Sequence, residues 1–340
     1  MKEFNEPELG KLIFGNEWNI HDLQKLNVNS DSKFDFSNYQ HDDNLDTGRI
    51  TKVEKEMTYD INSENGNNFF KTQIVGGYDE SFLTFESLEG QARAISHSYV
   101  FGKDGKYIPA NFLTLNIYTK SKLLIENNPE NNTIKFTEGK ISDEITKDYM
   151  RERAHFLNKI VPNNSYLFID GPLFSGAQTA ANFNLIDSLI QKQIIPIFLK
   201  KGCNSDIIVS EFSWANKYNS DIHWANTLLK KNPQRTCFFK YESNDVVKRS
   251  KVFCYLKVYE KSSPVRIEID SKTFNIIKNE INNIMDLITY LYYVDGKIKS
   301  PQIRHIAVAE KYARETLMVT NIYKTINKLG LTPTQNQVRF

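Results

Sequence analysis

The chain is 340 residues long and 40% hydrophobic, with 43 Lys and Arg against 41 Asp and Glu, a net charge of +2. That length allows one large α/β domain with additions or two ordinary domains, and the near-neutral balance confines any nucleic-acid contact to a local patch. Cys203, Cys237 and Cys254 lack CxxC spacing, which argues against zinc and against a disulfide framework and for a reduced, cytoplasmic setting; no apolar run reaches the roughly 20 residues of a membrane span, and the polar start is no signal peptide.

Residues 1–65 read as an accessory region with short helical patterns at Glu8–Phe14 and Ile20–Leu26. In the polar stretch that follows, His41-Asp42-Asp43 reads as a solvated loop rather than as metal ligands. From Phe69 the pattern turns to strands, at Gln73–Tyr78, Ala92–Phe101 and Ala110–Thr119. Gly102-Lys103-Asp104-Gly105 predicts a hairpin between the last two, so the three form an antiparallel meander. Asp79 follows the first strand and is either a turn carboxylate or a functional acid.

A helix is predicted from Ser142 as N-cap, with Asp143 and Glu144 in its first turn. At about 100° per residue, Ile145, Tyr149, Phe156 and Ile160 share an apolar sector and Glu152 borders it. A carboxylate carried towards the interior needs a partner. Glu152 is therefore a salt-bridge member, a boundary residue reaching water, or a ligand.

Tyr166-Leu167-Phe168-Ile169 reads as a strand buried on both faces, which Asp170 and Gly171-Pro172 end. Ligands collect at the carboxyl ends of strands in open α/β sheets, which makes Asp170 a candidate metal ligand, although Asp-Gly is also ordinary turn chemistry. A helix over Ala177–Gln193 and a strand over Ile194–Leu199 complete a right-handed parallel crossover. Lys200 and Lys201 then either face a phosphate or form a solvated strand end.

Residues 203–250 read as an insertion with Trp214 and Trp224 as packing anchors. Phe253–Val258 and Val265–Ile269 read as strands, with Arg266 and Glu268 on one polar, ion-pairing face. A last helix starts near Gln302 with the stripe Ile303, Ile306, Ala313 and Leu317, and Glu310 falls inside that stripe. His305 lies about 140° from Glu310 and is expected at the surface; residues 326–340 form a tail.

Asp79, Glu152, Asp170 and Glu310 thus sit on elements bordering one mixed sheet, in an order that resembles the ribonuclease H-like fold. Such a cluster suits two-metal phosphodiester hydrolysis, because hard divalent cations take several oxygen ligands. More narrowly, the domain expected over residues 66–325 resembles the NurA family of nucleases over roughly residues 70 to 320. The resemblance rests on Tyr78-Asp79-Glu80-Ser81, Met150-Arg151-Glu152, Phe168-Ile169-Asp170-Gly171-Pro172-Leu173, Phe198-Leu199-Lys200-Lys201, Tyr255, Val265-Arg266-Ile267-Glu268 and Ala309-Glu310-Lys311. Glu80 replaces the family's usual glycine, and Glu310 its His or Asp.

The resemblance implies a metal-dependent DNA nuclease in which Asp79, Glu152, Asp170 and Glu310 hold manganese or magnesium. Lys200 or Lys201 would steady the scissile phosphate, Arg266 would bind substrate, and Tyr255 would lie near the strand being cut. It also implies a homodimer beside a HerA-type hexameric ATPase, in DNA end processing or anti-phage defence. The chain has no GxxxxGK[ST] motif and is not expected to drive translocation itself. The rival reading is a catalytically silent assembly module that docks on the ATPase or DNA. A phosphoacceptor domain built on Asp170 and Lys200 would require a wholly parallel sheet, which the meander contradicts.

Overall fold

The alternating and fully apolar runs of the sequence assemble into one mixed sheet covered on both faces. A computed structural model describes residues 50–334 except 104–105, 130, 175–177, 203–204 and 243–248. The patterns at Glu8–Phe14 and Ile20–Leu26, the His41-Asp42-Asp43 cluster, Cys203, and the hairpin tip Asp104-Gly105 lie outside the described residues.

In chain order, β1 (Ile50–Lys52), β2 (Thr58–Asp60) and α1 (Ser63–Phe70) precede the meander of β3 (Ile74–Glu86), β4 (Gln91–Lys103) and β5 (Lys106–Thr119). Then come β6 (Ile134–Phe136), α2 (Ile141–Ile160), β7 (Ser165–Asp170), α3 (Thr179–Ile190) and β8 (Ile194–Lys200). The rest comprises β9 (Gln234–Thr236), β10 (Phe239–Glu242), β11 (Ser250–Lys257), β12 (Val265–Asp270), α4 (Ile281–Asp295) and α5 (Arg304–Val319), with shorter helices between.

Ten strands follow the order β1-β10-β11-β12-β8-β7-β3-β4-β5-β6, and β2 and β9 pair beside β11. β3, β4 and β5 are antiparallel, while β7 runs parallel to β3 and β8 parallel to β7. The central order β5-β4-β3-β7-β8 is the expected ribonuclease H-like arrangement of a meander followed by a parallel crossover. One face packs Val75, Phe168, Ile197 and Ile267 against Ile284, Ile288 and Ile306 of α4 and α5. The other packs Tyr78, Leu167, Ile169 and Phe198 against Phe156, Phe183 and Ile186 of α2 and α3. No described helix is long and apolar enough to cross a membrane.

Several expectations are corrected. β3 does not stop at Tyr78, because β4 supports it as far as the Glu86–Gln91 pair. α2 begins at Ile141 with Lys140 at its N-cap, and Ser142 lies inside the first turn, where its hydroxyl reaches Asp143 at 3.3 Å. Its buried face is Asp148, Met150, Arg153, Phe156 and Leu157, whereas Ile160 is 38% exposed at the end of the helix.

His305 is not at the surface. It is fully buried, because two strand glycines make room for it. A Cβ on Gly77 would come within 2.6 Å of the His305 carbonyl carbon, and one on Gly102 within 2.3 Å of its Nε2. Burial, and then Arg304, push the imidazole down to about 4. Arg266 and Glu268 do pair, at 2.7 Å, but the pair is buried rather than a surface feature, since helices cover both faces of the sheet.

Candidate active site

β3 and β7 stay paired up to Tyr78 and Ile169, and Asp79 and Asp170 are the next residues on the two strands. Strand alternation puts Val75, Gly77 and Asp79 on the face covered by α5. The missing side chain of Gly77 lets the start of α5 lie against β3, and Glu310 follows on that helix a turn and a half later. Asp79 is 9% exposed. Burial first, then the charges of Asp170, Glu80 and Glu310, push its carboxyl up to about 8. The Glu80 N–H, donating to Asp79 Oδ1 at 2.8 Å, offsets only part of this.

The other two acids are joined through a chain of polar contacts. Lys201 Nζ donates to Asp170 Oδ2 at 3.1 Å. With its amide oriented as these neighbours require, Gln302 accepts from Lys201 Nζ at 2.9 Å and donates to Glu310 Oε2 at 3.3 Å. Arg314 pairs with the other oxygen of Glu310.

The turn after Asp170 is held from both sides. Gly171 has φ +111°, a conformation that favours glycine. The Leu173 N–H donates to Glu268 Oε2 at 2.6 Å, and its carbonyl accepts from Asn182 Nδ2 at 2.8 Å. Arg153 in turn donates to Asn182 Oδ1 at 3.0 Å. Lys251 and Arg266 both pair with buried Glu268, and although burial raises its pKa, these two cations hold the carboxyl below its usual range.

Glu152 does not join this group. Tyr78, Glu80 and His97 share the opposite face of the sheet, and Glu152 lies there, 3.8 Å from His97 Nε2. Its carboxylate accepts from Thr114 Oγ1 at 2.8 Å and Asn116 Nδ2 at 3.1 Å. The wheel placed Glu152 correctly at the edge of the apolar face, but α2 packs on the side of the sheet away from Asp79. Glu80 faces the same side, where Tyr149 Oη donates to it at 2.9 Å.

Three further expectations are corrected. Tyr255 is fully buried; its hydroxyl donates to Asp221 Oδ2 at 3.0 Å, and the helix Asp221–Leu228 keeps it from the surface. Arg266 is 4% exposed and held by Glu268 and Ser205, so it does not line an open surface. Lys200 pairs in register with Arg266 and shares its face, so Lys201 alone of the two lysines reaches the acids. Gln302, Arg153 and Asn182 were missed. Arg153 carried a signal, since it lies one turn after Tyr149 and shares that residue's face; Gln302 and Asn182 carried none.

The donor chemistry of Asp79, Asp170 and Glu310 fits a hard divalent cation: all are carboxylate oxygens, and the buried member is short of positive charge. Among the described residues no group of three or more His, Cys, Asp or Glu side chains is arranged to hold a metal ion. Lys201, Gln302 and Arg314 occupy carboxylate oxygens of Asp170 and Glu310, and these contacts would have to open.

Fold and site together define an α/β protein of ribonuclease H-like topology with an acidic site where the parallel pairing of β3 and β7 ends. The NurA domain profile matches residues 46–315, and the chain belongs to the NurA family, a family of nucleases. Among solved structures it is similar to the NurA nuclease from Sulfolobus solfataricus at 12% identity and a TM-score of 0.48, covering 79% of this chain and 92% of that one. It is also similar to NurA with manganese, at 8% identity, a TM-score of 0.38, and coverage of 74% and 89%. For NurA bound to dAMP and manganese the values are 6%, 0.39, 73% and 88%. No curated protein matches the chain.

Proposed function

We propose that this chain is a metal-dependent DNA nuclease whose site is formed by Asp79, Asp170 and Glu310. The observation that carries the reading is the buried, repelled carboxyl of Asp79, set where the β3–β7 pairing ends, beside Asp170 at the end of β7 and Glu310 on α5, in a chain of the NurA family. The three carboxylates would hold manganese or magnesium. The chemistry a bound divalent cation supplies there is activation of water and neutralisation of charge at the phosphate.

This chain's own residues do the rest. Lys201, already at the acids, exchanges Asp170 for a non-bridging phosphate oxygen and orients the scissile group. Gln302, between Lys201 and Glu310, keeps the two aligned during that exchange. Glu268, Asn182 and Arg153 fix the turn that carries Asp170. Glu152 is not retained as a ligand, because its carboxylate serves Thr114 and Asn116 on the other face.

Incubation of linear DNA with purified protein and manganese tests this reading. Wild type is expected to cut, and Asp170→Ala to lose cleavage by about a hundredfold or more, the scale of removing a principal electrostatic group; equal cleavage by both contradicts it. The family resemblance further supports a homodimer working with a HerA-type hexameric ATPase, in end processing or anti-phage defence, and copurification with such an ATPase checks that partnership. A silent docking module is favoured by one observation: Lys201 and Arg314 already pair with Asp170 and Glu310. Absence of metal-dependent cleavage, alone and with the ATPase, would select it.

A further inference from the structure

The face of α5 turned away from the core borders a cavity of about 680 Å³ between that helix, Tyr107 and Lys297. Its size lies in the range of roughly 300–1,000 Å³ that holds a small ligand or a short stretch of polymer. Lys297, Arg304, Lys311 and Arg314 line it against two carboxylates, Glu310 and Glu315, so the lining carries a net charge of +2 in a protein of net +2 overall.

Helical spacing explains the concentration of charge. Arg304, Lys311 and Arg314 recur at intervals that share one side of α5, while Ile306, Ala309, Ala313 and Leu317 bury the other. Lys297 is exposed and makes no ion pair among the described residues. Lys311 is held by half-exposed Glu315 at 3.6 Å and exposed Arg314 by Glu310, whereas Arg304 is anchored at 3.3 Å by the buried carboxylate of Asp295. The two surface pairs of Lys311 and Arg314 cost little to open, while the buried Asp295 keeps Arg304 in place.

The groove also has an aromatic platform. Tyr107 is half-buried, its ring 5.1 Å from that of buried His305, which fixes it in place. The Arg304 guanidinium lies 5.6 Å over the same ring. Glu310 belongs both to this groove and to the acidic site, so a chain lying along α5 arrives at Asp79 and Asp170.

We propose that this groove binds a short run of single-stranded DNA, with phosphates on Lys297 and Lys311 and an unpaired base against Tyr107 and Arg304, and delivers it past Glu310. Single strands fit better than duplex because a stacked base must be free of its partner. The proposal builds on the nuclease reading for what happens at the acids, but binding can be measured without cleavage.

The test is fluorescence anisotropy of a labelled oligothymidylate with the full chain in EDTA, where no metal-dependent cutting occurs, over a range of salt. The double variant Lys297→Glu with Lys311→Glu is expected to bind at least about tenfold more weakly at low salt, with a log–log salt slope shallower by roughly one to two. Tyr107→Leu is expected to weaken binding about five- to tenfold with little change of slope, the signature of lost stacking rather than lost charge. Both lysines are exposed, so the double variant reports on the groove even if Tyr107→Leu folds poorly. Wild-type binding by the double variant overturns the proposal, as does a duplex of equal length competing as well as the single strand. Tight binding here with no cleavage in manganese, alone and with the ATPase, would leave the groove standing and remove the nuclease reading instead.

Discussion

Asp79 and His305 are two buried titratable groups shifted in opposite directions, and each makes the stability of the metal-free protein depend on pH. The Asp79 carboxyl binds its proton more tightly folded, at about 8 against 3.8. Its contribution is present below about pH 4 and is lost as pH rises through about 8, at up to about 1.4 kcal/mol per unit. The His305 imidazole is the reverse, at about 4 against 6.5. Its contribution is present above about pH 6.5 and is lost as pH falls through about 4. The two slopes oppose each other between about pH 4 and 6.5, and Asp79 acts alone between about 6.5 and 8. Denaturant unfolding in EDTA is expected to show Asp79→Asn more stable than wild type at pH 8, and His305→Phe relieved of its share of the acid-side loss. Parallel pH profiles for all three proteins would contradict both assignments.

At the scale of elements, the site depends on α5 lying close against β3. Gly77→Ala would drive a Cβ into the backbone of His305 and Ile306, at 2.6 Å from each, and is expected to cost on the order of 1–3 kcal/mol in a denaturant melt. Gly139, whose Cβ would meet nothing nearer than 3.7 Å, should tolerate alanine within about 0.5 kcal/mol; equal effects at the two positions would refute the close-approach argument. Glu268→Ala would leave Lys251 and Arg266 buried without their shared carboxylate, a loss of about 3–5 kcal/mol.

These same elements show what was legible in the sequence. The meander, the crossover from β7 to β8 and the position of Asp170 were readable because each rests on local alternation and one turn. The helical wheel gave Glu152 a face of α2 but could not say on which side of the sheet α2 packs. His305 misled for a related reason: its pocket is made by Gly77 and Gly102, more than 200 positions away in the chain. Tyr255 reads as an ordinary strand residue, and the helix that covers it follows no pattern visible from β11.

At the scale of the whole molecule, family membership and the placement of the acids point the same way, while Glu152 marks where this chain departs from the expected four-acid arrangement. Asp79 and Asp170 lie on the face of the central sheet that α5 covers with its Glu310, Lys201 and Gln302 link Asp170 to Glu310, and Glu152 belongs to the network of Thr114, Asn116 and His97. Titration of manganese into wild type, Asp170→Asn and Glu152→Gln, followed by calorimetry or by loss of the free-ion electron resonance signal, tests that division most directly. Asp170→Asn is expected to bind at least about tenfold more weakly, roughly 1.4 kcal/mol, and Glu152→Gln within about threefold of wild type. Unimpaired manganese binding by Asp170→Asn, or a loss in Glu152→Gln as deep as the one expected for Asp170→Asn, would contradict the account.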